Sequence, residues 1–145
     1  MTLVGCAKTQ TIQNEFEPNR TYKNTNVMEI IRQAAEAAPK SVRGEYVLNI
    51  QASGVHRDML YLNTELDYRD PRCVTISISP QVFKILRKRH AEYATDYYIG
   101  KKVIVNGNAR RVTIGVSPEG KPPWKYYYYQ THIYVSNLSQ LSVLE

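Results

Sequence analysis

Four consecutive tyrosines, Tyr126 to Tyr129 in KYYYYQTHIYV (125–135), are the residues here best able to do binding chemistry. A base stacked on an aromatic ring gains about 1–3 kcal/mol, while Lys and Arg beside the ring neutralise phosphates. Strand alternation puts Tyr126 and Tyr128 on one face and Tyr127 and Tyr129 on the other. Tyr61 and Tyr68 add rings upstream, and Trp124 closes the loop before the run. The cations to go with them are Arg69, Arg72, Arg110, Arg111, Lys121 and Lys125. This set suits a single-stranded nucleic acid or another anionic polymer. A plainer account is also open: tyrosine is a good strand former, so one face of the run fills the interior or packs under a helix, and Trp124 anchors its loop.

Other chemistries find less. Asp67 and Asp70 in DYRDP are three apart beside Arg69 and Arg72, a spacing that turn capping and ion pairs explain. His56, His90 and His132 are scattered, and no Cys or His pair has the spacing of a metal site. No Gly-rich phosphate loop or nucleophile elbow occurs. The expectation is a non-catalytic protein with no catalytic residues, metal or cofactor. Two cysteines, Cys6 and Cys73, do not make a disulfide framework, and Cys73 at the head of a strand reads as a small buried hydrophobe.

The elements that must carry these residues follow from periodicity. The polar stretch 7–25 has none and reads as a tether. NVMEIIRQAAEAAP predicts a helix capped by Asn26, with Val27, Ile30, Ile31, Ala34 and Ala38 on one face and Pro39 as its stop. From Gly44 the period becomes two. EYVLNIQASGV is one strand bent at Gly54, HRDM a turn, LYLNTE a second strand and CVTISIS a third. Pro80 opens a helix, PQVFKILRKRHAEYA, that buries Val82, Ile85, Leu86 and Tyr93. KKVIVNGNARRVTIG is a fourth strand kinked near Asn106-Gly107, the tyrosine run a fifth, and QLSVLE a coda. Five strands with a helix between the third and fourth is the order of the OB-fold, a partly open Greek-key barrel. The expected fold is therefore mainly β, an OB-fold with an extra N-terminal helix. Other small barrels and an open sheet with two helices are the alternatives.

At 145 residues the chain suits one domain with its own core, and its 43% hydrophobic and 22% charged residues are ordinary for a globular protein. The net charge of +6 is uneven: residues 1–80 carry nine Lys/Arg and nine Asp/Glu, residues 81–145 ten and four. The basic half implies an anionic partner or a solvated face. KILRKRH (84–90) is its densest cluster, turning Arg87, Lys88 and His90 to solvent or to anionic headgroups.

YLNTELDYRDPRCVTISI (61–78), GKKVIVNG (100–107) and IYVSNLSQLSVLE (133–145) together resemble a family of bacterial OB-fold nucleic-acid-binding lipoproteins over about residues 44–145. The chain departs from it at Thr64-Glu65, where relatives often carry an aromatic and a Gly, so no stacking ring stands there. Leu3-Val4-Gly5-Cys6 resembles a lipobox, in which the Cys6 thiol takes the lipid and small residues precede the cut. Only Met1 and Thr2 come before it, so either the start lies upstream or the match is chance. The resemblance implies residues 1–6 as the remnant of a lipoprotein signal, 7–25 as the tether and 26–145 as the helix and OB domain. It implies a lipid anchor on Cys6 and a periplasmic address at the bacterial envelope, with Ala7 fitting the outer membrane. The implied partner is a nucleic acid or other anionic polymer; the residues that the aromatic and basic pattern nominates to bind it are Tyr61, Tyr68, Arg69, Arg72, Arg110, Arg111, Trp124, Lys125, Tyr126 and Tyr128. At the envelope, a protein or oligosaccharide partner is the alternative.

Overall fold

The computed structural model describes residues 25–144, so Cys6 and all of the tether but Thr25 lie outside the described residues. Helix α1 (Val27–Ala37) begins where its cap predicts: the Asn26 side chain accepts a hydrogen bond from the Glu29 amide at 3.2 Å. Its outer face is laced by Arg32, which pairs with Glu29 and Glu36 one turn either way. Its inner face buries Ile30 and Ala34 against β1 (Val42–Asn49) and β5 (Lys102–Val116).

The other strands are β2 (Ala52–His56), β3 (Met59–Asn63), β4 (Val74–Ile78), β6 (Tyr126–Val135) and β7 (Leu141–Leu144). They form one mainly antiparallel sheet in the order β1-β5-β6-β4-β3-β2, with β7 also on β5. Among the described residues only β4 and β6 pair in parallel, Val74 opposite Thr131 through Ile78 opposite Val135. The crossover between β4 and β5 carries helix α2 (Pro80–His90). Among the described residues there are seven strands rather than the expected five, for two reasons. The coda pairs with Lys102–Val105 as β7. The expected first strand is two, and it begins at Val42. Gly54 is not the break, for it pairs regularly with Tyr61. The break falls at Ile50, whose amide donates to the Lys101 carbonyl at 3.0 Å, and Gln51, whose amide donates to the Asn63 carbonyl at 2.8 Å. Between two adjacent residues the chain thus leaves β5 and joins β3. The two ends of the sheet are consecutive in sequence.

Alternation sorts the strands cleanly. Leu60, Leu62, Val74, Ile76, Ile78, Val103, Val105, Ile133 and Val135 point into one core. β5 pairs continuously through Asn106-Gly107. The glycine there serves close approach: a Cβ at Gly107 would lie 3.0 Å from Ile133 Cγ2. The β2–β3 hairpin turns on Arg57 and Asp58, both at positive φ, as a two-residue connection requires.

Ser79 caps α2 by accepting from the Val82 amide, and Pro80 occupies the first turn. Val82, Phe83 and Leu86 close the core from this side. Two expected members of that face are outside it. Ile85 is 43% exposed because the buried stripe runs through 82, 83 and 86, and position 85 falls beside it. Tyr93 is 67% exposed because the helix stops at His90, and the following 3-10 turn (Ala91–Tyr93) swings the ring outward. Phe83→Ala should therefore cost about 3–5 kcal/mol of stability, whereas Ile85→Ala should stay within roughly 0.5 kcal/mol. Urea unfolding of the two variants checks this.

Candidate functional site

The outward face of the sheet holds two shallow hollows that meet at His132. The first, of about 560 Å³, is floored by Asn63, Thr75, Gln130 and His132 and walled by Tyr61, Tyr68 and Tyr128. The second, of about 520 Å³, is lined by Arg43, Arg110, Asn108, Ser77 and Tyr134 among others. Register explains the gathering. Arg110 lies opposite His132 and Ile114 opposite Tyr128 across β5–β6, while Thr75 is beside His132 across β4–β6. Tyr61 of β3 meets the His132 ring edge-on at 6.2 Å. Aromatic and cationic groups thus share one surface, the rings at the β2–β3 side and the guanidiniums at the β1–β5 side.

The floor is held by a chain of side chains along β6. The Gln130 amide nitrogen donates to the Tyr128 hydroxyl at 3.0 Å, leaving Gln130 Oε1 to accept from His132 Nε2 at 2.7 Å. That places a proton on Nε2. Burial takes His132 down from the ordinary 6.5 to about 4. Beneath it, the Thr75 hydroxyl donates to Asn63 Oδ1 at 2.7 Å. Burial also raises the Tyr128 hydroxyl above its usual value.

The loop between β3 and β4 overhangs this hollow. Asp67 accepts from the Arg69 amide at 2.9 Å and pairs with its guanidinium, and Asp70 does the same for Arg72. The Arg72 guanidinium and amide hold the Asp70 carboxyl down at about 2. Both arginines are exposed and internally paired. Arg69 also lies 5.7 Å from the centre of the Tyr68 ring.

The sequence leaves open whether Trp124, Tyr61, Tyr68 and Arg110 or Arg111 converge. Arg110 shares the outer face with Tyr61 and Tyr68, while Arg111 and Trp124 lie on another side. β5 from Arg111 on and β6 up to Gln130 pair only with each other, as a two-stranded ribbon beyond β1 and β4. Arg110, Tyr126 and Tyr128 are on its groove side. Arg111 is on the other, 4.0 Å over the Tyr129 ring, with Tyr127 edge-on to Tyr129 at 5.7 Å. Trp124 folds over Gly115 on that second side, so closely that a Cβ there would be 2.3 Å from the indole. Lys125 is exposed at the start of the ribbon, its amide bonded to the Val116 carbonyl. Neither tyrosine pair is buried as filler: Tyr126, Tyr127 and Tyr129 are exposed and Tyr128 is partly covered. Arg43, Asn63, Thr75, Gln130 and His132 were not anticipated. The period-two alternation already placed Gln130 and His132 on the face of Tyr128, but only strand pairing brings Arg43 and Thr75 to it.

Among the described residues no cluster of His, Cys, Asp and Glu could hold a metal, and no helix is long and apolar enough to cross a membrane. No family model matches the chain, and no curated protein matches it in sequence. Solved structures similar to it include the mitochondrial single-stranded DNA-binding protein Rim1 of S. cerevisiae, at 14% identity and TM-score 0.39 over 72% of this chain and 96% of that one. A small single-stranded DNA-binding protein from Streptomyces coelicolor is 16% identical, TM-score 0.34, over 72% and 91%. The aspartyl tRNA synthetase of Entamoeba histolytica is 10% identical, TM-score 0.40, over 76% of this chain and 20% of that one.

The neutral imidazole sets a pH dependence. Unfolded, His132 takes up a proton near 6.5; folded, it does so only near 4. The unfolded state binds more protons between these values, so stability should fall as pH drops from about 6.5 toward about 4. Denaturant midpoints across that window should fall less steeply in His132→Gln.

Proposed function

We propose that the chain is a non-catalytic binding module whose outer sheet face takes an extended anionic polymer, single-stranded nucleic acid foremost. The observation carrying this is the single surface on which Tyr61, Tyr68 and Tyr128 stand beside Arg43 and Arg110, joined at His132. Rings offer planes to bases, and guanidiniums offset phosphate charge. The neutral, hydrogen-bonded floor adds no negative charge to repel the strand. On this reading β1 and β2 count as one strand of a five-stranded Greek-key OB barrel. The strand order and the place of α2 support it. Tyr61→Ala and Tyr128→Ala should each weaken oligothymidylate binding by roughly five- to 150-fold. Arg110→Gln should lower the slope of log affinity against log salt by about one. Fluorescence titration at several ionic strengths measures both, and an absence of binding at low salt counts against the reading.

A protein- or oligosaccharide-binding envelope scaffold is the second reading. It is favoured by the ribbon's other side, where Trp124, Tyr127 and Tyr129 are exposed away from the groove. Crosslinking in intact cells separates the two: a specific protein adduct at Tyr127 that Tyr61→Ala leaves intact supports the scaffold.

We also propose that the module is tethered at the envelope through lipid on Cys6, on the strength of the Leu3-Val4-Gly5-Cys6 sequence and the polar stretch after it. More than one acyl chain is needed for stable anchoring. Mass spectrometry of the protein from its native locus should find an acylated Cys6 at the new N-terminus; a free thiol removes the anchor.

A further inference from the structure

Helix α2 and the turns after it concentrate charge of one sign. Residues 81–102 hold six cations, Lys84, Arg87, Lys88, Arg89, Lys101 and Lys102, against two carboxylates, Glu92 and Asp96. That is four of the chain's six net positive charges in 22 residues. α1 shows what an ordinary solvated helix face looks like here, with Arg32 neutralised by Glu29 and Glu36. α2 contains no acid. Among the described residues Lys84, Lys88 and Arg89 have no carboxylate partner. The Arg87 guanidinium lies 4.0 Å over the Phe83 ring, which keeps its charge at the surface.

Two apolar side chains emerge inside this field. Ile85 projects from the same turn as Lys84, Lys88 and Arg89, and Tyr93 follows directly after the helix. Single-sign charge around the protruding Ile85, with the exposed Tyr93 ring just past the helix, is what an interfacial helix offers to lipid: headgroups meet the cations and the apolar groups enter the acyl boundary. Nucleic acid fits less well. It is tracked by a concave, ring-lined path, whereas this surface is a convex helix, and none of its cations lines either hollow. From this juxtaposition we propose that α2 is a peripheral docking surface for an anionic lipid bilayer, centred on Lys84, Ile85, Lys88, Arg89 and Tyr93. It needs no acyl chain and is independent of the groove.

The test is vesicle co-sedimentation of the full chain carrying Cys6→Ser, which removes any anchor. The vesicles are an equal mixture of phosphatidylcholine and phosphatidylglycerol, with phosphatidylcholine alone as control. Binding should require the anionic lipid and weaken with salt. Lys84→Gln/Lys88→Gln/Arg89→Gln should weaken it roughly hundredfold, since each cation near the surface adds about a factor of five. Tyr93→Ser should weaken it too, and Tyr61→Ala/Tyr128→Ala should leave it unchanged. Lys84, Lys88, Arg89 and Tyr93 are exposed, and an unchanged thermal melt shows that the variants fold. The proposal is overturned if the Cys6→Ser chain ignores anionic vesicles at low ionic strength, or if the triple variant binds them equally well. It is also overturned if the triple variant loses oligothymidylate instead, since α2 would then be a nucleic-acid surface.

Discussion

A single exchange of hydrogen-bond partners organises the molecule. Up to Ile50 the chain donates to and accepts from the segment leading into β5; from Gln51 it belongs to β3. A flat sheet could not satisfy both residues, because β5 and β3 are separated by β6 and β4 in the strand order. An unpaired buried amide at Ile50 would be costly, so the sheet has to bend enough to bring its two end strands, β1 and β2, to consecutive positions in the chain. The curl produces an inside, where Leu48, Ile50, Leu62, Ile76 and Ile133 pack, and an outside, where every functional candidate stands. Ile50 is itself almost fully buried, so the switch is locked by packing as well as by hydrogen bonds.

The parallel pairing of β4 with β6 has the next largest consequence. Parallel neighbours need a long crossover, and here that crossover contains α2, whose Phe83 and Leu86 cover the core. Because β4 meets β6 only over Thr131–Val135, the earlier part of β6 has β5 as its one neighbour. A two-stranded ribbon has two accessible faces. One continues the groove through Tyr128 and Tyr126, and the other carries the Arg111, Tyr129, Tyr127 and Trp124 cluster. The shallow hollows and the divided aromatic set both descend from how far β4 reaches along β6.

Charge is arranged by environment. Ion pairs of α1 and of the loop between β3 and β4 are exposed, and such pairs contribute little to stability. Their effect is to remove net charge from those places, leaving Arg43 and Arg110 on the outer face and the cations of α2 as the concentrated positive regions. The neutral His132 between rings and guanidiniums keeps the middle of the face hydrogen-bonded without a charge of its own.

Local physics was legible in the sequence. Asn26 as a cap, Pro80 in a first turn, the turn of Arg57 and Asp58 and the two faces of the tyrosine run all follow from a few neighbouring residues. So did the order of helix and strands, once β1 and β2 are taken together, because binary periodicity survives into the fold. What depends on distant partners was not legible. The break at Ile50 and Gln51 has no signal of its own, since it is defined by residues 63 and 101. The coda became β7 because β5 offered it an open edge. Ile85 and Tyr93 moved to the surface because α2 ended at His90 and rotated its stripe toward Phe83. Trp124 left the groove for Gly115, and Arg43 joined it, because strand register decides which side chains become neighbours. The sequence determined which residues alternate and where turns begin. Only the tertiary structure decided which of them meet, because pairing across a curled sheet is set by hydrogen bonds between segments far apart in the chain.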